Sequence, residues 1–458
     1  MKYFSFPIVL ALSTVCFATA TSVSDFEYEI VDNEVTIITY LGTDEEVVVP
    51  NKIEECPVTA LEGHSFSTNG VLKSVVLPSD LLTIGTRCFY QCTNLVNIEI
   101  PDKVTTIGRY AFGGCIRLQT INIPAGVEEI GERAFVNSSA TIQVDESNAS
   151  YCSEGGVLFN KDKSTLIFYP PFSSATQYVI PEGVSRIEAF AFSFCSNLKT
   201  VVLPKNMSGI QNSAFYLCSG LEYINLHENI ETIGAFAFSD CTRLTNVVMS
   251  SVIKIEDLAF NKCTALEQID LGDKLREIGG GSFSECSSLK ELSFPVTFRC
   301  FGPTFIDCPS LQHIYFKGNT PTTPFINSTQ VSDVFAAPYP AIHYLEGTRG
   351  WKGEYKVNKE GDQFDPQETS NLLRFSNWWL EGVNVHPWTL PANEPEVFVS
   401  QRMVKDGKVE MTLVFGGALQ SSTNLEDWDP VETASPYLVS VPTGGEKFYR
   451  AVSSEVVE

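Results

Sequence analysis

A phenylalanine recurs along this chain at nearly constant spacing, and this periodicity limits the available folds more than any other feature. It occupies positions 66, 89, 112, 135, 192, 215, 238, 260, 283 and 305, at steps of 22 or 23 residues apart from one step of 57. In eight of these units a cysteine follows three residues later, and a leucine three residues after that. Units this short cannot bury their own apolar edges, whereas stacked units can, so the repeat predicts a solenoid.

The spacing within one unit predicts its local structure. Leu95–Ile100 ends in apolar–polar alternation, which indicates a short strand with its apolar side on the core. Pro101 then ends the pairing because it has no N–H, and Gly108 is expected to permit a sharp turn. Ala111 and Cys115 lie about one helical turn apart, which predicts a tight helical or 3-10 crossing. The expected solenoid has a parallel β-sheet on one face and short turns or 3-10 segments on the other.

Three residue types that stay in step across eight units are expected to line the interior. The predicted core residues are Phe89, Cys92, Leu95, Phe112, Cys115, Leu118, Phe192, Cys195, Leu198, Phe215, Cys218, Leu221, Phe238, Cys241, Leu244, Phe260, Cys263, Leu266, Phe283, Cys286, Leu289, Phe305, Cys308 and Leu311.

The positions of the 13 cysteines match the repeat better than they match a disulfide framework. Eight lie in the slot after the phenylalanine, and Cys88 and Cys300 fill other repeat slots. A free cysteine behaves as a small buried hydrophobe. Neighbouring coils bring Cα atoms within bridging distance, but parallel Cβ vectors give the wrong torsion for a disulfide. We therefore predict mostly reduced, unreactive thiols, although export alone would favour disulfides.

The frame Ile-Gly-x-x-Ala-Phe-x-x-Cys-x-x-Leu-x-x-Ile-x-Leu-Pro resembles the BspA-like leucine-rich repeat of bacterial and protist surface proteins. The resemblance covers about residues 25–356, with local departures at Leu271-Gly272 and Cys300-Phe301. It implies a leucine-rich-repeat solenoid, and it implies adhesion to host or matrix proteins or to other cells.

The first 20 residues are typical of a secretory signal peptide. Lys2 supplies the positive start, an apolar run spans Ile8 to Phe17, and Ala18-Thr19-Ala20 suits signal peptidase. The alternatives are a transmembrane helix, for which the run is short, and a lipid anchor at Cys16. The predicted organisation is a signal peptide at 1–20, an N-terminal β cap at 21–62, repeats at 63–317 with an irregular coil at 136–180, a C-terminal cap at 318–356, a linker at 357–370 and a β-rich module at 371–458.

The composition changes near residue 350, and all five tryptophans lie beyond it. Alternating runs such as Val409–Phe415 predict a small, all-β, sandwich-like module. An extended cap packed on the solenoid is the alternative for this region.

Charge and motif content exclude several function classes. The formal net charge is −24, which disfavours nucleic acids and anionic membranes. Two Ser-x-x-Lys matches, at Ser196 and Ser287, are explained by the repeat, and no metal-binding or nucleotide-binding motif stands out. We predict no enzyme activity, no catalytic residue, no cofactor, no metal site and no transmembrane segment.

The third and fifth residues of the strand motif should point outward and form a surface that we call the sheet face. Such faces are where solenoids often bind partners. Tyr223, His313 and Tyr315 are the strongest candidates because aromatic side chains contribute much of the energy at interfaces. The predicted binding residues are Asn97, Glu99, Thr120, Asn122, Thr200, Tyr223, Asn225, Asn246, Gln268, Asp270, Glu291, His313 and Tyr315.

The sequence as a whole predicts a secreted or cell-surface protein that binds a protein or glycan ligand through the sheet face. Three alternatives stay open: a solvated sheet without a partner, binding through another surface, and carbohydrate binding by the tryptophan-rich C-terminal module. The oligomeric state and the identity of the ligand do not follow from the sequence.

Overall fold

The structure is a computed structural model that describes residues 21–301, 304–318 and 340–345, together with seven strands between residues 385 and 452. The predicted signal peptide, the predicted linker and most of the predicted C-terminal cap lie outside the described residues. The chain divides into two compact units. The first unit contains Met1–Phe172 and Glu188–Ser193, and the second contains Ser173–Ile187 and Phe194–Glu458.

Short parallel strands, one per coil, form the sheet face, and we call them the main ladder. The register pairs Val75 with Ile98 in the first unit and Val201 with Ile224 in the second. These central apolar residues are buried, as the alternation predicted. The strands are Glu46–Val48, Ser74–Val76, Asn97–Ile98, Thr120–Ile123 and Thr141–Val144 in the first unit, and Gln177–Val179, Thr200–Val202, Tyr223–Ile224, Asn246–Val248, Gln268–Asp270, Glu291–Phe294, His313–Phe316, Ala341–Leu345 and Val385–Trp388 in the second.

A second ladder of two-residue strands runs through the position where most repeats read Ile-Gly, and we call it the short ladder. Its isoleucines pair in register, for example Ile84 with Ile107 and Ile233 with Ile255, and all four are buried. The sequence predicted only that apolar side chains return to the core here. The strands are Thr83–Ile84, Thr106–Ile107, Glu129–Ile130, Arg186–Ile187, Gly209–Ile210, Thr232–Ile233, Lys254–Ile255, Glu277–Ile278 and Cys300–Phe301.

The glycine after the short ladder is required for space, which corrects the expectation of a sharp turn. A Cβ added to Gly108 would lie 2.5 Å from the backbone nitrogen of Thr86 in the preceding coil. In the second unit, a Cβ on Gly234 would lie 2.6 Å from the backbone nitrogen of Asn212. Glycine therefore lets the main chains of adjacent coils approach closely at this corner.

The crossing from the short ladder to the next main strand is a series of turns in the described residues, which confirms the expected short turns, whereas the helical or 3-10 alternative is wrong. Two residues per crossing are left-handed, as at Arg87 (φ 57°) and Gln91 (φ 56°), and a right-handed helix cannot continue through them. Successive backbone amides alternate between hydrogen bonds within the turn and hydrogen bonds to the next coil. Tyr90 N–H donates within the turn to the Arg87 carbonyl at 3.1 Å, whereas Phe89 N–H donates to the Ala111 carbonyl of the next coil at 2.8 Å.

The repeated phenylalanines stack face to face through the interior of each unit. The ring centroids of Phe89 and Phe112 are 5.5 Å apart with an interplanar angle of 8°. In the second unit, Phe238 and Phe260 are 5.1 Å apart at 15°. All of the predicted core side chains are buried, with at most 3% of any one exposed. The stack and its cysteine and leucine neighbours give each unit a continuous apolar interior.

The repeated cysteine has a hydrogen-bonding role that alanine could not fulfil. The Sγ atom of Cys92 donates to the Phe66 carbonyl of the preceding coil at 3.0 Å, and Cys241 donates to the Phe215 carbonyl at 3.3 Å. The same contact occurs at Cys115, Cys263, Cys286 and Cys308. None of the eleven cysteines whose side chains the structure describes forms a disulfide.

Antiparallel strands occur where the sequence predicted an N-terminal cap and an irregular coil. A 3-10 turn at Val23–Asp25 precedes the first of them. Gly156 has a left-handed φ of 84° in the connection between the first two strands of the irregular coil. The strands are Phe26–Val31 with Glu34–Tyr40, Lys52–Ile53 with Cys56–Leu61, and Tyr151–Glu154 with Val157–Asn160, which also pairs with Thr165–Phe168.

Further antiparallel strands follow in the predicted C-terminal module. They are Val397–Lys405, Lys408–Phe415 and Tyr437–Pro442 in one sheet, and Asp429–Pro430, Ala418–Ser422 and Phe448–Val452 in another. Val385–Trp388, which precedes them, pairs in parallel with Ala341–Leu345 of the main ladder. The predicted sandwich and the predicted domain boundaries stay predictions.

Candidate functional site

The predicted binding residues lie in the strands of the main ladder, apart from Glu99 and Asn225, which directly follow a strand. Each strand buries its central apolar residue, so its neighbours in the strand point to the opposite side. Six of the thirteen predicted residues are half-buried: Thr120, Thr200, Tyr223, Asn225, His313 and Tyr315. The other seven are exposed: Asn97, Glu99, Asn122, Asn246, Gln268, Asp270 and Glu291.

The parallel register brings several predicted residues together as neighbours on adjacent strands. Thr200 lies opposite Tyr223, and Asn246 opposite Gln268. Nearer the C-terminal end of the second unit, Glu291 lies opposite His313. Residues in register on adjacent strands are about 4.8 Å apart, so each pair can contact the same group of a ligand. The predicted residues of the first unit lie along that unit's own part of the main ladder.

A cluster of aromatic rings occupies the C-terminal strands of the sheet face, and we call His313, Tyr315 and His343 the ring cluster. Nδ1 of His313 lies 3.1 Å from Nε2 of His343. The Tyr315 and His343 rings stack with centroids 4.6 Å apart and an interplanar angle of 16°. The three side chains are half-buried, so each is held in place while part of its surface stays open to solvent.

Sequence reasoning missed His343, which completes the ring cluster. The step from His313 to its partner strand is longer than a repeat and carries no Phe-x-x-Cys-x-x-Leu frame. One signal was available, since Ala341–Leu345 alternates in the same way as His313–Phe316. The structure pairs Tyr315 with His343 in parallel register.

Two predicted binding residues have side-chain polar atoms that are buried or hydrogen-bonded within the protein. The hydroxyl of Tyr223 is buried with no hydrogen-bond partner in the described structure, and burial raises the pKa of Tyr223. Asn225 Oδ1 accepts the Leu203 amide at 2.8 Å. Tyr223 can therefore offer a partner only part of its ring. The pKa of the Tyr315 hydroxyl is also raised, by partial burial and by the negative charge of Glu291.

Ion pairs run along the edge of the sheet face and account for the lysines of both Ser-x-x-Lys matches. Lys199 pairs with Glu222 at 3.1 Å, and Lys290 pairs with Glu267 at 3.0 Å. These exposed pairs contribute little to stability. Among the residues that the structure describes, no group of three or more histidine, cysteine or acidic side chains could hold a metal ion.

The sequence pattern of the BspA type leucine rich repeat region matches residues 47–157, 167–254 and 247–331, with six copies. This chain belongs to the BspA-type leucine-rich-repeat family. The match covers most of the two ladders, and the structure is a leucine-rich-repeat β-solenoid of about 12 turns with almost no helix. No curated protein sequence is significantly similar to this BspA-type chain.

Solved structures of bacterial leucine-rich-repeat proteins resemble this family member. The pneumococcal vaccine antigen PcpA is 18% identical with a TM-score of 0.54, and the match covers 81% of this chain and 99% of PcpA. A leucine-rich-repeat protein from Eubacterium ventriosum is 22% identical with a TM-score of 0.46, covering 68% of this chain and 97% of its own. A leucine-rich cell-surface protein from Faecalibacterium prausnitzii is 23% identical with a TM-score of 0.39, covering 66% and 96%. The PcpA likeness supports the fold alone.

Proposed function

We propose that this BspA-type protein is a secreted or cell-surface protein that binds another protein through the sheet face of its second unit. Export rests on the signal-peptide pattern of the first 20 residues and on membership of the BspA-type family, whose members are typically secreted or on the cell surface. Where the structure is described, none of the residues lies in a helix with the length and hydropathy of a membrane span.

The ring cluster is the observation that carries this proposal. Aromatic side chains that are already ordered lose little conformational entropy on binding and bury a large area, which is why they dominate interface energies. Tyr315 and His343 are ordered by their mutual stacking, and His313 by its 3.1 Å contact with His343. Parallel pairing of Glu291–Phe294, His313–Phe316 and Ala341–Leu345 holds the cluster on a continuous sheet.

Acidic side chains beside the ring cluster indicate the charge of the partner. Glu291 and Asp270 are exposed on neighbouring strands of the sheet face, and the whole chain carries a formal charge of −24. Complementary charge accelerates and orients association. The partner surface is therefore expected to be basic around an apolar pocket that receives Tyr315.

Binding is favoured over catalysis because the thiol that recurs in the repeats is chemically suppressed as a nucleophile. Burial raises the pKa of the Cys92 and Cys308 thiols to about 12 and raises that of Cys241 and Cys286 as well. A thiol reacts through its thiolate, so these buried thiols are poor nucleophiles at neutral pH. These thiols pack in the apolar interior of the solenoid.

The test is an array of purified extracellular-matrix proteins and glycans, probed with wild-type protein and with Tyr315→Ala. The matched control is Phe236→Ala, which removes an exposed aromatic ring from the turn surface of the same unit. We expect at least one protein ligand whose affinity falls more than tenfold with Tyr315→Ala and less than twofold with the control. Equal effects of the two variants would contradict binding by the sheet face.

The carbohydrate alternative is tested on the same array. The side chains of Trp378, Trp379 and Trp388 lie outside the described residues, so their exposure stays a prediction. Glycan binding that is lost with Trp378→Ala and Trp379→Ala, and is kept with Tyr315→Ala, would favour the C-terminal module as the binding site.

A further inference from the structure

Four side chains of the first unit form a column on the turn surface, away from the sheet face. They are Arg87, Tyr110, Arg133 and Phe190, each two residues before the repeated phenylalanine of its coil. We call them the turn column. All four have a left-handed backbone, with φ between 55° and 65°. Residues at the same repeat position therefore leave the backbone in the same way, and their side chains lie next to one another.

Cations and aromatic rings alternate along the turn column. The guanidinium carbon of Arg87 lies 5.2 Å from the centroid of the Tyr110 ring, and that of Arg133 lies 5.6 Å from the same centroid. Arg133 also lies over Phe190 at 4.2 Å. Its Nη1 donates to the Tyr110 hydroxyl. The rings therefore hold the arginines in fixed positions by cation–π contact.

The two arginines of the column lack the carboxylate that usually accompanies a clustered guanidinium. Neither Arg87 nor Arg133 forms an ion pair with any residue in the described part of the chain. The Nε of Arg133 is buried without a hydrogen-bond partner. The nearby Arg109 does have a counterion, because Glu132 lies 3.8 Å away. The column is thus a local positive patch on a chain with a formal charge of −24.

The backbone does not require arginine at these positions. The same left-handed position holds Ser213, Phe236 and Leu258 in the second unit. The guanidinium groups of Arg87 and Arg133 are both positively charged, and they repel each other across two coils. Cation–π contact offsets part of this cost, and an anionic ligand would offset the rest.

We propose that the turn column binds an acidic peptide segment in extended conformation, with one carboxylate on Arg87 and another on Arg133. Guanidinium groups bind carboxylates through paired N–H donors. The two arginines are two coils apart, which is about 9.6 Å at the spacing of parallel strands. Glutamates three residues apart in a polyproline II segment are about 9.3 Å apart.

A short acidic peptide fits better than a long polyanion. The positive patch spans only a few coils, and the rest of the chain carries a large excess of acidic residues. A long sulfated glycan or a nucleic acid would extend from the patch onto this acidic surface and be repelled there. Two carboxylates on a short segment stay within the patch.

The experiment measures fluorescence anisotropy of a labelled peptide with four Glu-Pro-Pro repeats, titrated with the full chain. A peptide with Gln-Pro-Pro repeats is the ligand control, and Arg117→Gln is the protein control because Arg117 is an exposed arginine of the same unit outside the column. We expect the glutamate peptide to bind at least tenfold more tightly than the glutamine peptide. Arg87→Gln should weaken binding at least fivefold, whereas Arg117→Gln should change it less than twofold.

Arg87 is exposed, so Arg87→Gln tests the site without disturbing the half-buried Arg133. A thermal melt of each variant checks that the fold is retained. Arg133→Lys keeps the charge but removes the planar donor pair, and it should weaken binding at least threefold with the melt unchanged. Equal affinity for both peptides, equal effects of Arg87→Gln and Arg117→Gln, or tight binding of heparin without binding of the glutamate peptide would overturn the proposal.

Discussion

The repeated phenylalanine and the repeat position two residues before it, which forms the turn column in the first unit, differ in how strongly the fold restricts the residue type. In the second unit, Phe215, Phe238 and Phe260 are stacked and buried. The residues two positions earlier are Ser213, Phe236 and Leu258, which share a left-handed backbone but no side-chain chemistry. Burial in a shared apolar stack thus restricts residue identity, whereas backbone conformation alone does not. Surfaces of this solenoid can therefore acquire function without cost to the core.

The largest expected effect comes from ionising the buried cysteines. Burial raises the pKa of eight thiols in the repeat slots, to about 12 at Cys92 and Cys308. An unfolded thiol ionises near pH 8.5. The contribution to stability is therefore complete below about pH 8.5 and is lost as the pH rises toward 12. Each thiol should cost about 1.4 kcal/mol per pH unit in that window.

Denaturant unfolding between pH 8 and 9.5 measures this loss, before tyrosine and lysine titrate appreciably. The slope of the unfolding free energy against pH, averaged over this range, should be shallower in Cys241→Ala by about 0.8 kcal/mol per pH unit, because an unfolded thiol is only partly ionised near pH 8.5. A free energy of unfolding that stays constant to pH 9.5 would contradict burial of the thiols.

The next largest effect contrasts two phenylalanines of the same coil. Phe238→Ala removes a fully buried ring and should lower the free energy of unfolding by about 3–5 kcal/mol. Phe236→Ala removes a ring that is 39% exposed and should cost less than about 1 kcal/mol. Chemical denaturation of both variants checks the difference. Similar losses at the two sites would show that the stack does not dominate stability.

A smaller effect tests the role of the thiol within the stack. Cys241→Ala removes a buried sulfur and its hydrogen bond to the Phe215 carbonyl, and should cost about 1–2 kcal/mol. The control is Cys152→Ala, at a half-buried cysteine of the irregular coil, which should cost less. Equal losses of unfolding free energy would indicate that a cysteine buried in the repeat slot contributes no more to stability than a half-buried cysteine.

The smallest expected effect is a gain. Tyr223→Phe removes a hydroxyl that is buried without a partner, so the free energy of unfolding should rise by up to about 1 kcal/mol. The matched variant is Tyr315→Phe, on the same face, where little change is expected. A loss of stability with Tyr223→Phe would show that its hydroxyl does find a partner.

The sequence was sufficient to predict the features that depend on burial and recur in each coil. Periodicity identified the solenoid and the strands, and apolar–polar alternation identified which residues of each strand reach the sheet face. The short ladder and the turn crossings were less accessible, because they depend on close approach at Gly108 and on left-handed residues such as Arg87, neither of which a side-chain pattern records. Spacing could not identify His343, since its strand follows an insertion that breaks the repeat.

The continuous buried column of each unit is the central feature of this account, and the reactivity of its thiols tests it most directly. The measurement is alkylation at pH 8 without reductant, with modified residues mapped by mass spectrometry in native and denatured protein. The nine buried cysteines, Cys88, Cys92, Cys115, Cys195, Cys218, Cys241, Cys263, Cys286 and Cys308, should be unmodified in the native protein and fully modified in denaturant. Modification of these residues in the native protein, or their protection as disulfides in denaturant, would contradict it.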